Sequence, residues 1–409
     1  MRILYFHQHF STPSGATGLR SYQMARHLVS KGHQVTMVCG SYGVGKTGLD
    51  VDFLNGKRQG LVDGINVIEF DVAYSNSDSF TKRTLSFVKY AASSLVLALT
   101  LKYDLVFATS TPLTAGIPGI AAKIFRGKPF VFEVRDLWPE LPREMGVIKN
   151  RAVLLAMSAL EWTSYHTASS CIGLSPGIVE GIVRRGISRD KVRMIPNGCD
   201  LDAFDPDLPG RWRPEGIKPD NYLAVFTGTH GIANGLDAVL DAALELKRRG
   251  IDNIKIVMIG HGKQKPALMH RAATENLDNC IFLDSVPKNR LADLLREADI
   301  GLMILANIPA FYFGTSPNKF FDYIAAGLPV LNNYPGWLAE MIKENDLGYT
   351  VPPDDPILFA DALVKAQLTG STKEDGRNPA REFAISRFAW ADLAIDFEDS
   401  LLHAVDIKN

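Results

Sequence analysis

Short runs of apolar, often β-branched residues alternate with amphipathic stretches along this whole chain, and that alternation leaves it few folds to adopt. Arg2–Phe6 reads as a buried strand. Arg20–Lys31 reads as a helix with Tyr22, Met24, Ala25, Leu28 and Val29 as its apolar residues, stopping at Gly32. Gln34–Cys39 is the next strand, followed by Asn66–Phe70, Leu105–Ala108, Phe130–Val134, Ser170–Leu174 and Arg193–Ile195. The pattern then restarts with Leu223–Thr227, Ile254–Ile259, Ile281–Phe282, Ile300–Leu305 and Pro329–Leu331, with helices such as Gly235–Arg249 and Arg290–Glu297 between them. Repeated βα units imply an α/β class: parallel sheets covered by helices on both faces.

At 409 residues the chain is too long for one core. Residues 206–220 lie in a run rich in Pro, Gly and charge with no apolar period, and read as a linker. The expected organisation is therefore two doubly wound, Rossmann-like domains, 1–205 and 221–390, with a C-terminal helix at 391–409 that packs back on the first. Such sheets bind ligands at the carboxyl ends of their strands, here facing an interdomain cleft.

Composition narrows the class further. Apolar residues make up 46% and charged residues 22%, as in soluble enzymes. Cys39, Cys171, Cys199 and Cys280 are scattered without ligand spacing, which argues against a metal site or disulfide framework and fits a reducing compartment. The opening MRILYF enters a strand at once, so no signal peptide is expected, and no run of eighteen apolar residues offers a membrane span. The net charge of −1 conceals an asymmetry: residues 1–205 carry 23 Lys+Arg against 17 Asp+Glu, and residues 206–409 carry 21 against 28. A basic first half suits an anionic surface, whether phospholipid or lipid diphosphate, although solvated charge explains it as well.

The densest chemistry lies in Tyr312–Pro335. A polar loop, Gly314-Thr315-Ser316-Pro317-Asn318-Lys319, opens onto a helix N-terminus, where free amides and the helix dipole favour phosphate. Lys319 adds a full charge. Asp322, one turn on, could bridge the hydroxyls of a ribose. An ordinary αβ unit with a Pro at its helix start reads as well from these residues alone.

Four further clusters end predicted strands. Gly228, Thr229, His230 and Gly231 follow Leu223–Thr227 and allow close approach to a diphosphate, or form a plain turn. Gly260, His261, Gly262 and Lys263 follow Ile254–Ile259, with Lys263 in reach of a phosphate or simply solvated. Glu133, Arg135, Asp136, Trp138 and Glu140 form a charged, aromatic edge that suits a sugar, a base or an acceptor diphosphate, or else a structural ion pair with a packing Trp. The loop Ser11–Gly18, with Gly15, Gly18 and then Arg20, suits a ligand or is a solvated loop.

Two motifs mislead. Gly40–Thr47 spells a Walker A sequence, but the residues after it lack helical period. Asp50-Val51-Asp52 spells DxD, but no buried strand leads into it.

Taken in order, MRILYFHQHF, LVSKGHQVTMV (28–38), EVRDLWPE (133–140), IGLSPGI (172–178), IPNGCD (195–200), FTGTHG (226–231), IGHGK (259–263) and SPNKFFDYIAAGLPV (316–330) resemble a retaining, nucleotide-sugar-dependent glycosyltransferase of the GT-B fold, family 4. The likeness is nearest to the WbuB-like subgroup of O-antigen and capsule enzymes. It implies a nucleotide-sugar site at Gly228, His230, Gly231, Lys263, Ser316, Pro317, Asn318, Lys319 and Asp322, with the base read near Val286 and UDP the expected nucleotide. Asp322 takes the place of the second Glu of the family's E-x7-E motif, and Gly314 stands where the first belongs. His230 and Asn234 occupy places often held by Arg and Lys, so Lys263 or Lys319 would compensate. Arg135 replaces a catalytic-site His; Arg135, Asp136 and Lys319 are the expected catalytic residues. Gly15, Gly18, Arg20, Trp138 and Glu140 are expected on the acceptor side.

The resemblance also implies front-face retention, no metal and no cofactor beyond the donor substrate. It implies a lipid-linked (undecaprenyl diphosphate) saccharide acceptor, no nucleic acid, and a cytoplasmic protein peripheral to the inner leaflet. Thr81–Leu101 reads as a buried core helix before strand Leu105–Ala108, or else as a helix that docks on the inner leaflet. Rival readings are a UDP-sugar 2-epimerase of the same fold and an inactive sugar-nucleotide binder. A NAD-dependent dehydrogenase would need a G-x-G-x-x-G after the first strand, which Ser14–Gly18 does not supply.

Overall fold

A computed structural model of the chain describes residues 1–75, 78–370 and 378–406. They form two compact units, each built on its own sheet.

The first unit comprises Met1–Asn197, Phe313–Ser316 and the C-terminal helix Trp390–Asp406. Its strands are β1 (Arg2–Phe6), β2 (Gln34–Tyr42), β3 (Lys57–Val62), β4 (Ile65–Tyr74), β5 (Leu105–Thr109), β6 (Phe130–Val134), β7 (Ser170–Gly173) and β8 (Val192–Met194). They lie in the order β3-β4-β2-β1-β5-β6-β7-β8. All neighbours are parallel except β3 and β4, a hairpin absent from the sequence reading. Its turn is Asp63-Gly64, both at positive φ (49° and 82°).

The period of a strand divides β1 between two cores. Leu4 and Phe6 join Tyr90, Ala122, Phe132 and Ile178 on one face. Ile3 and Tyr5 join Met24, Leu28, Phe107, Phe397 and Leu401 on the other. The C-terminal helix packs beside helix Arg20–Ser30 on this second face. Residues 407–409, part of the expected C-terminal helix, lie outside the described residues.

The second unit comprises Gly198–Tyr312 and Pro317–Ala389. Its strands are β9 (Tyr222–Thr227), β10 (Ile254–Ile259), β11 (Cys280–Leu283), β12 (Ile300–Met303), β13 (Val330–Asn332) and β14 (Gly348–Thr350). They form an all-parallel sheet in the order β11-β10-β9-β12-β13-β14. β9 is buried throughout, as a strand covered on both faces must be.

Residues 206–220 are not a free tether. The Trp212 amide donates to Asp293 O (3.0 Å), Arg213 reaches Glu297 (3.3 Å), and Arg296 donates to the carbonyls of Asp205 (2.7 Å) and Gly210 (3.2 Å). Polar, proline-rich composition marked an irregular segment, but its arginines and carbonyls are used inside the second unit.

In each sheet the strand order reverses about one central strand. β1 lies between β2 and β5, and β9 between β10 and β12. Open α/β sheets bind ligands beyond the strand ends at such points.

Candidate functional site

In the second unit the site is assembled on helix Asn318–Ala325. Tyr323 fixes that helix to the sheet: its hydroxyl accepts a hydrogen bond from the Thr227 amide at the end of β9 (2.9 Å). Its ring fills the space over Gly301 in β12, where a Cβ would come within 2.3 Å of it. Lys319 and Asp322, on the same helix, are thereby brought to the strand ends.

Lys319 is half-buried. Its Nζ donates to Asn234 Oδ1 (2.6 Å) and lies 4.1 Å from the centre of the Phe226 ring. A Cβ on Gly228 would sit 3.3 Å from Lys319 Cε, so the exposed Gly228 backbone lies directly beside the ammonium. Burial pushes the Lys319 pKa down to about 7. A cation held this way gains by meeting an anion.

Asp322 is buried, and burial raises its carboxyl pKa. Lys288 Nζ sits 2.7 Å from both its oxygens and 4.8 Å from the Phe204 ring. Lys288 was not foreseen; its only sequence signal was its place directly after Val286-Pro287. Val286 is half-buried in the segment between β11 and helix Lys288–Leu295.

His230 corrects the sequence reading. It is fully buried rather than facing a diphosphate, and both ring nitrogens lack a hydrogen-bond partner among the described residues. Burial, then Lys265 and Lys319, push its pKa down to about 4, so it is neutral at neutral pH. Its backbone interlocks the loops after β9 and β10: its amide donates to His261 O (2.9 Å) and its carbonyl accepts from Gln264 N (2.9 Å). A Cβ on Gly260 would lie 1.8 Å from Gly228 O, and one on Gly262 2.2 Å from His230 O. These glycines serve loop on loop. Gly231 is half-exposed beside them, and Lys263 is exposed at the end of β10. The lysine that anchors this region is Lys265, also missed, which donates to Gly260 O (3.0 Å), Leu283 O (2.8 Å) and Asp284 Oδ1 (2.6 Å).

Pro317 precedes the helix as its N-cap and Asn318 is its first residue; both are half-exposed. Ser316 is differently placed. Its hydroxyl accepts from the Asn197 amide (3.1 Å), and its carbonyl from Asn197 Nδ2 (2.6 Å), inside the first unit. Gly314 has open space where a side chain would point.

In the first unit, Arg135 and Asp136 follow β6. Arg135 N donates to Ser110 Oγ (3.0 Å), its guanidinium lies 3.4 Å from His7 Nε2, and Asp136 accepts from Thr111 (3.1 Å). Burial raises the Asp136 pKa. His7, Gln8 and His9, directly after β1, were missed. His7 and Gln8 are buried, and His7 Nδ1, His9 Nδ1 and both Gln8 amide atoms lack hydrogen-bond partners among the described residues. Their signal was three polar residues beginning one position beyond the buried apolar run Ile3–Phe6.

The expected acceptor residues are engaged by contacts within the first unit. Arg20 is fully buried and paired with Glu133 (2.7 Å), so it is a structural cation inside the fold. Glu140 pairs with Arg185 (3.1 Å), which also holds Glu161 (2.6 Å). Gly15 packs against the 45–46 loop, where a Cβ would lie 2.8 Å from Lys46 N. Gly18 is half-buried just before helix Arg20–Ser30, and Trp138 packs half-buried against the core. Thr47 of the Walker-like stretch donates to Glu69, and the next element is strand β3, not a helix.

Residues 15–198 match the family described as Glycosyl transferase 4-like domain, and residues 221–367 match Glycosyl transferases group 1. The two halves of the chain thus each carry a glycosyltransferase-type domain. It is 25% identical over 275 residues to D-inositol 3-phosphate glycosyltransferase of Xylanimonas cellulosilytica, covering 62% of this chain and 59% of that protein. The chain thus spans about three-fifths of that relative's length. It is 21% identical to the putative colanic acid biosynthesis glycosyl transferase WcaI of Escherichia coli, covering 80% of this chain and 82% of the other. In fold it is similar to Alr3699/HepE of Anabaena, solved in complex with UDP and glucose, with a TM-score of 0.66, 16% identity, and 98% of each chain covered. The architecture is GT-B: two parallel-sheet α/β domains.

Proposed function

We propose that the protein is a retaining glycosyltransferase that moves a sugar from a UDP-sugar to a lipid-diphosphate-linked saccharide in surface-polysaccharide assembly. The observation that carries this is the placement of Lys319 beside the Gly228 backbone, with Asp322 one turn along the same helix. A leaving diphosphate gains charge as the donor C1–O bond breaks. Lys319, the loop at Gly228–Thr229 and the helix N-terminus at Asn318 stabilise that charge without needing a metal. Asp322 accepts from the ribose hydroxyls. Arg135 and Asp136 serve the acceptor side, and the diphosphate takes the acceptor proton on the face it leaves. The polysaccharide setting is supported by the relative WcaI, whose name places it in colanic acid biosynthesis, and the choice of UDP by the ligand of the HepE structure.

Thermal unfolding with UDP, GDP, dTDP and ADP tests the reading. Selective stabilisation by UDP is expected. Stabilisation by none of the four contradicts it.

A further inference from the structure

Helix Asn318–Ala325 carries Lys319 and Asp322, yet its own sequence does little to hold its first turn. It is 8 residues long, its N-cap is Pro317, and that cap makes no side-chain hydrogen bond. Short helices fray from uncapped ends, and Lys319 is the second residue of this one.

The order of that turn comes from the segment before it. Phe313–Ser316 packs with the first unit. Asn197 grips its last residue twice: the backbone amide donates to Ser316 Oγ (3.1 Å), and Nδ2 donates to Ser316 O (2.6 Å). Helix Pro176–Arg184 closes on its first residue. A Cβ on Gly177 would lie 2.6 Å from the carbonyl carbon and oxygen of Phe313, so that backbone rests directly on the glycine. Only Pro317 and Asn318 then separate Ser316 from Lys319, and the proline ring fixes φ at the first of them.

Asn197 is itself anchored. Arg20 Nη1 donates to the carbonyl of Pro196, the preceding residue. Arg20 pairs with Glu133 on β6, whose other oxygen accepts from Thr109 Oγ1 on β5 (2.7 Å). Buried polar contacts thus run from β5 and β6 to Ser316. Asn197 is 2% exposed, and its Oδ1 has no hydrogen-bond partner among the described residues. A residue that only filled this space would be apolar, because an unpaired buried oxygen is costly. What the amide supplies is the donation from Nδ2.

We propose that Asn197 is a positioning residue for the donor site: by clamping Ser316 it keeps the first turn of helix Asn318–Ala325 ordered, and with it Lys319. The assignment rests on the transferase reading for what Lys319 meets. The clamp itself needs no ligand, so the two fail separately.

Two variants disturb the clamp at different points. Asn197→Leu keeps the volume and removes the donation. Gly177→Ala favours its own helix but pushes on Phe313. Either serves if the other fails to fold, which circular dichroism reports. In hydrogen exchange of the full chain without nucleotide, the amides of Asp322–Ala325 should exchange about tenfold faster in both variants, while those of β9 keep their rates. UDP affinity, read by calorimetry, should fall about tenfold in both. Unchanged exchange in Asp322–Ala325 would overturn the proposal, and so would equal acceleration in β9, the mark of a general loss of stability. Faster exchange confined to the helix, with UDP bound as tightly as by the unaltered protein, would overturn it too. Failure of the unaltered protein to bind UDP would count against the donor assignment, and the exchange rates would still decide the clamp.

Discussion

Lys288 Nζ lies 2.7 Å from both carboxylate oxygens of Asp322, so the group assigned to the ribose is already clamped by a cation. A ribose diol must share or displace that ammonium. Asp322→Asn should weaken UDP binding about tenfold to a hundredfold, the scale of a charged hydrogen bond. Lys288→Met removes what holds the buried carboxylate ionised, so the Asp322 pKa rises further. In that variant the loss of UDP affinity on acidification should set in at a higher pH than in the unaltered protein, measured by calorimetry.

Lys319 gives the opposite pH dependence. With its pKa near 7, it is substantially neutral at pH 8.5 and charged at pH 6. A diphosphate favours the ammonium, so UDP affinity should rise as pH falls from 8.5 to 6.5, with proton uptake on binding. The stability effect has the reverse sense. The unfolded chain binds that proton more tightly, so this group adds stability as pH rises from 7 toward 10. Lys319→Met should raise Tm at pH 7 and abolish UDP binding; a lowered Tm would contradict the burial assigned to this lysine.

The Arg20–Glu133 pair is fully buried, both side chains showing no exposure. Arg20→Leu leaves a buried carboxylate without its cation and should cost about 3–5 kcal/mol in urea unfolding. Loss of acceptor turnover without loss of stability would instead restore Arg20 to a ligand-facing role.

Gly260→Ala places a Cβ 1.8 Å from Gly228 O at a φ of +150°. The two loops must separate, so a cost of about 1–3 kcal/mol is expected, together with lost UDP binding. Gly314→Glu meets open space and should leave Tm unchanged. If Gly314 replaces a sugar-binding carboxylate, that variant should bind UDP-sugar more tightly relative to UDP.

Periodicity made the fold legible because parallel strands covered on both faces must be continuous apolar runs, as in β5, β6 and β9. Where burial was one-sided the reading failed: β3 alternates exposed and half-exposed residues and was missed, despite the Asp63-Gly64 turn beside it. That Lys319 and Asp322 share one helix was legible because spacing on a short helix is local. Lys288, 34 residues from Asp322 in sequence, was not, since only the sheet brings them together. Arg20 and His230 show the converse. Residue type suggested a ligand, but burial decided otherwise.

The donor assignment is tested most directly by titrating UDP, without added metal, into the unaltered protein and the Asp322→Asn and Lys319→Met variants. Saturable one-to-one binding, weakened in the first variant and abolished in the second, is the predicted result. UDP binding of equal strength in all three proteins would place the nucleotide elsewhere and contradict the site described at Gly228, Lys319 and Asp322.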